Sequence, residues 1–130
     1  MIDFAKKFEN DKLHFEVKDM REPFSEKFDA IFNLFTSFGY FENDEDNLVA
    51  LKSIKYSLND YGFAVLDFMN VQKVTENLIA EEVKEVNGIV FNIKRWIENG
   101  YILKNITFDY EDESFDFTEK VKALTLEDFE

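Results

Sequence analysis

The sequence predicts an α/β fold, a parallel strand-helix-strand unit followed by a four-stranded antiparallel meander, and three observations predict it. An apolar run at residues 30–35 has the length of one buried strand and ends in a polar, glycine-containing corner at residues 36–39. A helical stripe then leads through Gly62 into a second near-continuous apolar run, residues 63–68, and that order requires a crossover between parallel strands. From Ala80 the pattern turns to two-residue alternation, broken by Asn87-Gly88 and Asn99-Gly100, the dipeptides preferred by the tightest hairpin turns.

Taken in order, Ile2, Ala5 and Phe8 fall at helical spacing and read as the last turns of a helix with no start signal, so the near end looks truncated. Leu13, Phe15 and Val17 alternate with His14, Glu16 and Lys18, as in a strand with one covered face. His14 lies on the other face and reads as a surface residue. Pro23 ends the ladder and makes Asp19, Met20, Arg21 and Glu22 a loop at the strand's carboxyl end. After the run at 30–35, Asn43 or Asp44 suits an N-cap, Leu48, Leu51, Ile54 and Leu58 give the helical stripe, and Gly62 supplies a left-handed stop.

The strand at 63–68 closes with Asp67-Phe68-Met69-Asn70. Parallel strands put both carboxyl ends on one side, so residues 33–40 and 67–70 are expected around a single crevice, where ligands of open α/β sheets bind. The meander segments are 81–86, 89–98, 101–109 and 115–123, with an acidic third turn at 111–114. Thr125 opens a helix with cap-box spacing, Asp128 standing where Glu or Gln is usual. One turn is too short to bury an apolar face, so the far end also looks truncated. The expected organisation is one compact domain: a core at 1–79, a meander at 80–124 and the start of a helix at 125–130.

A length of 130 residues with 45% hydrophobic content and 16 Phe suits one packed core. The net charge of −13, with no basic cluster standing clear of acids, disfavours nucleic acid and anionic lipid as partners. Without cysteine and with a single His there is no disulfide frame and no thiolate or His-rich metal site, so no metal is expected. No stretch reaches the ~20 apolar residues of a membrane span, and no signal-peptide core opens the chain, so the expected location is cytoplasmic.

Ala5-Lys6-Lys7, the loop Val17-Lys18-Asp19-Met20-Arg21, the run at 28–41 with its Ser-Phe-Gly-Tyr corner, residues 58–70, Arg95-Trp96 and residues 117–126 occur in an order and spacing that match a known family. The sequence resembles the middle of a class I S-adenosylmethionine-dependent methyltransferase, of the small-molecule type whose Rossmann-like sheet carries an added antiparallel lid. The resemblance implies a partial sheet of that kind, S-adenosylmethionine as cofactor and a small-molecule acceptor. It implies that Asp19 accepts the adenine amine, that the Met20 backbone meets the ring, and that Asn33, Leu34 and Phe35 line the pocket near the methionine portion. Ser37, Phe38, Gly39 and Tyr40 would flank the path of the methyl group, while Asp67, Asn70, Arg95 and Trp96 would face the acceptor.

The family's glycine-rich turn is not in this sequence, whose four glycines are scattered at Gly39, Gly62, Gly88 and Gly100, so the chain by itself is expected to be inactive. The family's acid for the ribose hydroxyls and its last two strands are missing likewise. Exposed sheet edges would result, and with them pairing of the chain with itself. The alternative is a non-catalytic interaction or dimerisation module derived from the methyltransferase fold.

Overall fold

A computed structural model describes residues 2–130. The chain divides into two compact units, residues 1–31 with 45–64, and residues 32–44 with 65–130. Its elements are α1 (Ile2–Ala5) with a 3-10 turn at Lys6–Phe8, β1 (Phe28–Asn33), α2 (Asp44–Ser57), β2 (Leu58–Leu66), α3 (Val71–Glu76), β3 (Glu81–Val86), β4 (Ile89–Glu98), β5 (Tyr101–Tyr110), β6 (Glu113–Lys122) and a 3-10 turn at Leu126–Phe129. β1 and β2 form a parallel pair, and β3 to β6 form an antiparallel sheet in sequence order. The α/β class is therefore as expected. No helix among the described residues is long and apolar enough to cross a membrane.

In the first unit the helix packs through small residues. Asn47, Ala50, Ser53 and Ser57 recur at helical spacing and are buried, whereas Leu48, on the expected stripe, is 54% exposed. Small side chains let neighbouring backbone come close: the Ser57 hydroxyl donates to the Ser53 carbonyl and accepts the Phe24 N–H, both at 2.9 Å. The apolar stripe thus marks the helix, with Leu51 and Ile54 half-buried, but the residues packed most deeply are the small ones beside it, and Leu58 already belongs to β2.

Two expectations for this unit are corrected. Residues 13–17 form no strand: Leu13 makes one isolated bridge to Asn10, the Phe15 N–H goes to Glu9 Oε1 at 2.8 Å, and Val17 is 82% exposed. Alternation makes a strand only where another strand takes up its backbone groups, and among the described residues none does. Gly62 is no helix stop but lies inside β2, which begins directly after Ser57. A Cβ there would sit 2.9 Å from the Phe28 carbonyl oxygen, so glycine serves close approach of two backbones rather than a left-handed turn.

In the second unit the core lies where the sheet meets the corner after β1. Phe38, Ile93, Ile102, Leu103 and Val121 are its buried apolar residues, and Phe38 and Phe68 both pack on Phe129, at ring separations of 6.0 and 5.4 Å. The last turn buries none of its residues, as expected of one so short, yet its Phe129 ring, half-buried, still packs against this core. Lys122 N donates to the Gly39 carbonyl at 2.8 Å and the Tyr101 hydroxyl to the Glu42 carbonyl at 3.2 Å. Lys122 Nζ also pairs with Asp44.

The hairpins follow from their turns. Asn87-Gly88 and Asn99-Gly100 have positive φ at both residues, 53° and 81°, then 50° and 78°. That twist matches the strands, so β3 and β4 pair from Val86–Ile89 outward and β4 and β5 from Glu98–Tyr101. The third turn does the same with Glu111 and Asp112, at 49° and 64°. β1 ends at Asn33 rather than at residue 35, because Phe35 and Thr36 turn left-handed, with φ of 60° and 52°. Phe32 is 57% exposed, so β1 is not the fully buried strand that its composition predicts.

Candidate functional site

Because β1 and β2 run parallel, their carboxyl ends meet, and both ends belong to the second unit. Asp67 N donates to the Asn33 carbonyl at 2.8 Å and the Asp67 carbonyl accepts from Thr36 N at 3.2 Å. The Asp67 carboxylate accepts the Phe35 N–H at 2.9 Å, holding the left-handed corner in place. Asn33, Phe35 and Asp67 are thereby brought together. The Asn33 Oδ1 atom is buried there without a hydrogen-bond partner, an acceptor waiting for a donor. Beside it Leu34 is exposed, and the Phe35 ring is 88% exposed.

The corner residues divide between scaffold and surface. Ser37 donates its hydroxyl to the Leu34 carbonyl at 2.6 Å and closes the turn. Phe38 is committed to the core, and Gly39, at φ 88°, lies against the Phe68 ring, where a Cβ would be 3.1 Å away. Tyr40 is half exposed, and its phenol is pushed above the ordinary range by burial and by the nearby Glu119 carboxylate.

Asn70 caps α3, its Oδ1 accepting Lys73 N at 2.9 Å. With Met69 it lines two hollows. One, of about 800 Å³, is mostly apolar, with Leu66, Phe68, Val71, Leu124 and Phe129 in its wall. The other, of about 650 Å³, is lined by Lys73, Lys84, Glu82 and Arg95 among others. Arg95 donates to Glu82 at 2.9 Å, and Lys84 and then Arg95 hold that carboxyl below its usual range. Trp96 follows Arg95 on β4 and so points to the opposite face of the sheet, which rules out pairing between the two side chains.

Asp19 and Met20 belong to the first unit. The Asp19 carboxylate is clamped by Arg21, whose Nη2 lies 2.6 Å away and whose backbone N–H adds a bond at 2.9 Å. These bonds lower the Asp19 carboxyl to about 2. Arg21 reaches Asp46 on α2 at 3.2 Å as well, so the loop is tied to the helix.

Lys73, Glu82 and Lys84 went unnoticed in the sequence. A signal was present: a two-residue turn at Asn87-Gly88 fixes the pairing, and its parity puts residues 82, 84 and 95 on one face. α3 is an element that the sequence reading does not include, and Asn70, expected at the close of a strand, is its N-cap.

No family model matches the chain, and no curated protein matches it. Solved structures do. An S-adenosylmethionine-dependent methyltransferase from Clostridium acetobutylicum is 20% identical with a TM-score of 0.74, over 88% of this chain and 49% of that one. An amino pentose methyltransferase from Micromonospora echinaspora, solved with S-adenosylmethionine bound, is 17% identical with a TM-score of 0.64, over 86% and 51%. A sugar N-methyltransferase from Streptoalloteichus is 17% identical with a TM-score of 0.66, over 86% and 49%. The chain spans about half the length of each. Its fold is similar to about half of these Rossmann-like S-adenosylmethionine-dependent methyltransferases.

Proposed function

We propose that the chain forms part of an S-adenosylmethionine-dependent methyltransferase that acts on a small molecule, with a sugar-like amine or hydroxyl as acceptor. One observation carries the reading: the carboxyl ends of β1 and β2 join around a buried, unpartnered Asn33 Oδ1. The likeness to sugar methyltransferases supports the acceptor class. Residues 1–79 would be the core, 80–124 the lid and 125–130 the start of the following helix. A cysteine-free chain suits the cytoplasm, and its charge of −13 suits a protein that avoids nucleic acid.

By the resemblance, these residues would contact part of the cofactor. Asn33 Oδ1 would accept a hydrogen bond from the ammonium of the methionine portion, Leu34 and Phe35 would cover it, and Asp67 keeps this corner in shape. Asp19, held as a carboxylate by Arg21, would accept from the adenine amine, and the Met20 backbone would meet the ring. When bound, the cofactor supplies an electrophilic methyl group on a sulfonium. The protein's share is alignment and exclusion of water. Ser37 and Gly39 set the corner, Tyr40 flanks the path, and Asp67, Asn70 and Arg95 receive the acceptor, whereas Trp96, on the opposite face of β4, does not share that side. With no glycine-rich turn among these 130 residues, the chain would not turn over by itself.

Amide spectra and melting temperature under S-adenosylhomocysteine titration test this. Saturable shifts at Asn33 and Phe35 with a rise in melting temperature are expected, and a flat response to millimolar ligand would leave the interaction-module reading in its place. Methyl transfer by the 130-residue chain would overturn the claim of inactivity. The outer edge of β2, left without a neighbour in the β1–β2 pair, would join copies into a homodimer, and a sedimentation experiment showing monomer at high concentration would sink that part.

A further inference from the structure

The smaller hollow, lined by α3, the segment leading into β3, and the strands β3 and β4, carries a charge opposite to that of the whole chain. Lys73, Lys84 and Arg95 line it with one acid, Glu82, in a protein of net charge −13. Both Lys84 and Arg95 pair with that single carboxylate, at 3.1 and 2.9 Å, so one negative charge is shared between two cations and Lys73 adds a third. The neighbouring acids do not restore the balance. Glu81 and Glu85 alternate to the opposite face of β3, and Glu76 of α3 is not among the residues that line the hollow. Arg95 and Glu82 are largely covered, with side-chain exposures of 22% and 24%, so their fields are screened less than those of surface pairs.

We propose that this hollow is an oxyanion subsite, taking a phosphate or carboxylate group of the acceptor molecule. Met69 and Asn70 line both hollows, so one ligand can rest its body in the larger one and extend an anionic group past Val74, Leu78 and Ile79 to Arg95, Lys84 and Lys73. A planar guanidinium and two ammonium groups lining one hollow suit a multivalent oxyanion, to which each can donate charge-assisted hydrogen bonds. As an acceptor subsite it rests on the methyltransferase reading, whereas the charge of the hollow does not.

The test is an amide-shift titration of the 130-residue chain at low salt with pyrophosphate, and separately with tricarballylate. Saturable shifts centred on Lys73, Lys84 and Arg95 with either probe support the subsite, and the tighter probe identifies phosphate or carboxylate as the group. Arg95→Gln should weaken binding roughly tenfold, the loss of one charge-assisted contact. Lys73→Gln, on the exposed side of α3, should weaken it several-fold while leaving the spectrum of the sheet unchanged. No saturable binding of either probe, or binding untouched by both variants, overturns the proposal. Oxyanion binding without any response to S-adenosylhomocysteine would keep the subsite and remove the transferase reading, and the reverse result would do the opposite.

Discussion

At Asn33 a polar oxygen is shut away from water with no donor beside it, which costs about 1–3 kcal/mol in the ligand-free chain. Asn33→Leu, with the same branched heavy-atom skeleton, is therefore expected to stabilise by about 1 kcal/mol in urea melts while abolishing the thermal response to S-adenosylhomocysteine. A purely structural asparagine would lose stability instead. Gly39→Ala acts the other way: its Cβ meets the Phe68 ring at 3.1 Å in a left-handed backbone, so a loss of about 1–2 kcal/mol is expected. The Asp19 carboxyl, lowered to about 2 by Arg21, stabilises the folded chain fully above its ordinary value near 3.8 and loses that effect as pH falls through about 2. Urea midpoints measured from pH 5 to pH 2 should fall less steeply in Asp19→Asn than in the unaltered chain.

Among the elements, the third hairpin turn is the weak one. Glu111 and Asp112 adopt the left-handed pair that Asn-Gly occupies in the other two turns, at a cost of roughly 1 kcal/mol for side chains ill suited to it. Replacing them with Asn and Gly together should raise stability by about that amount, read as a higher urea midpoint. The same turns explain what the sequence made legible. Asn87-Gly88 and Asn99-Gly100 fix β3 and β4 to the residue, since a two-residue loop leaves no choice of register. By contrast, Leu13, Phe15 and Val17 carry the right alternation, yet a strand also requires a partner, which no local pattern encodes. Gly62 shows the same limit, because close packing on Phe28 and a left-handed stop look identical in one letter. At the site, the meeting of Asn33 with Asp67 was readable from strand order, whereas the clamp of Arg21 on Asp19 depends on side-chain geometry.

For the whole molecule, the two units differ in what holds them. The second has an unbroken ladder of four strands and a core built on Phe38, Ile93, Ile102, Leu103 and Val121. The first relies on a helix seated through Ala50 and two serines, with Leu48, Val49 and Tyr56 exposed. Native-state hydrogen exchange should therefore find the slowest amides in the central strands β4 and β5, and faster exchange throughout residues 2–27. Equal protection in both units would contradict this division.

Each strand of the meander neighbours the one made just before it, across turns of two residues. Chain closure over such short spans is cheap, and hairpins zip within microseconds. As the polypeptide leaves the ribosome, residues 81–122 can assemble piece by piece without waiting for distant segments. Nucleation should accordingly begin in this late-synthesised region, and the earlier β1 and β2, whose pairing must span the whole intervening helix, should join afterwards.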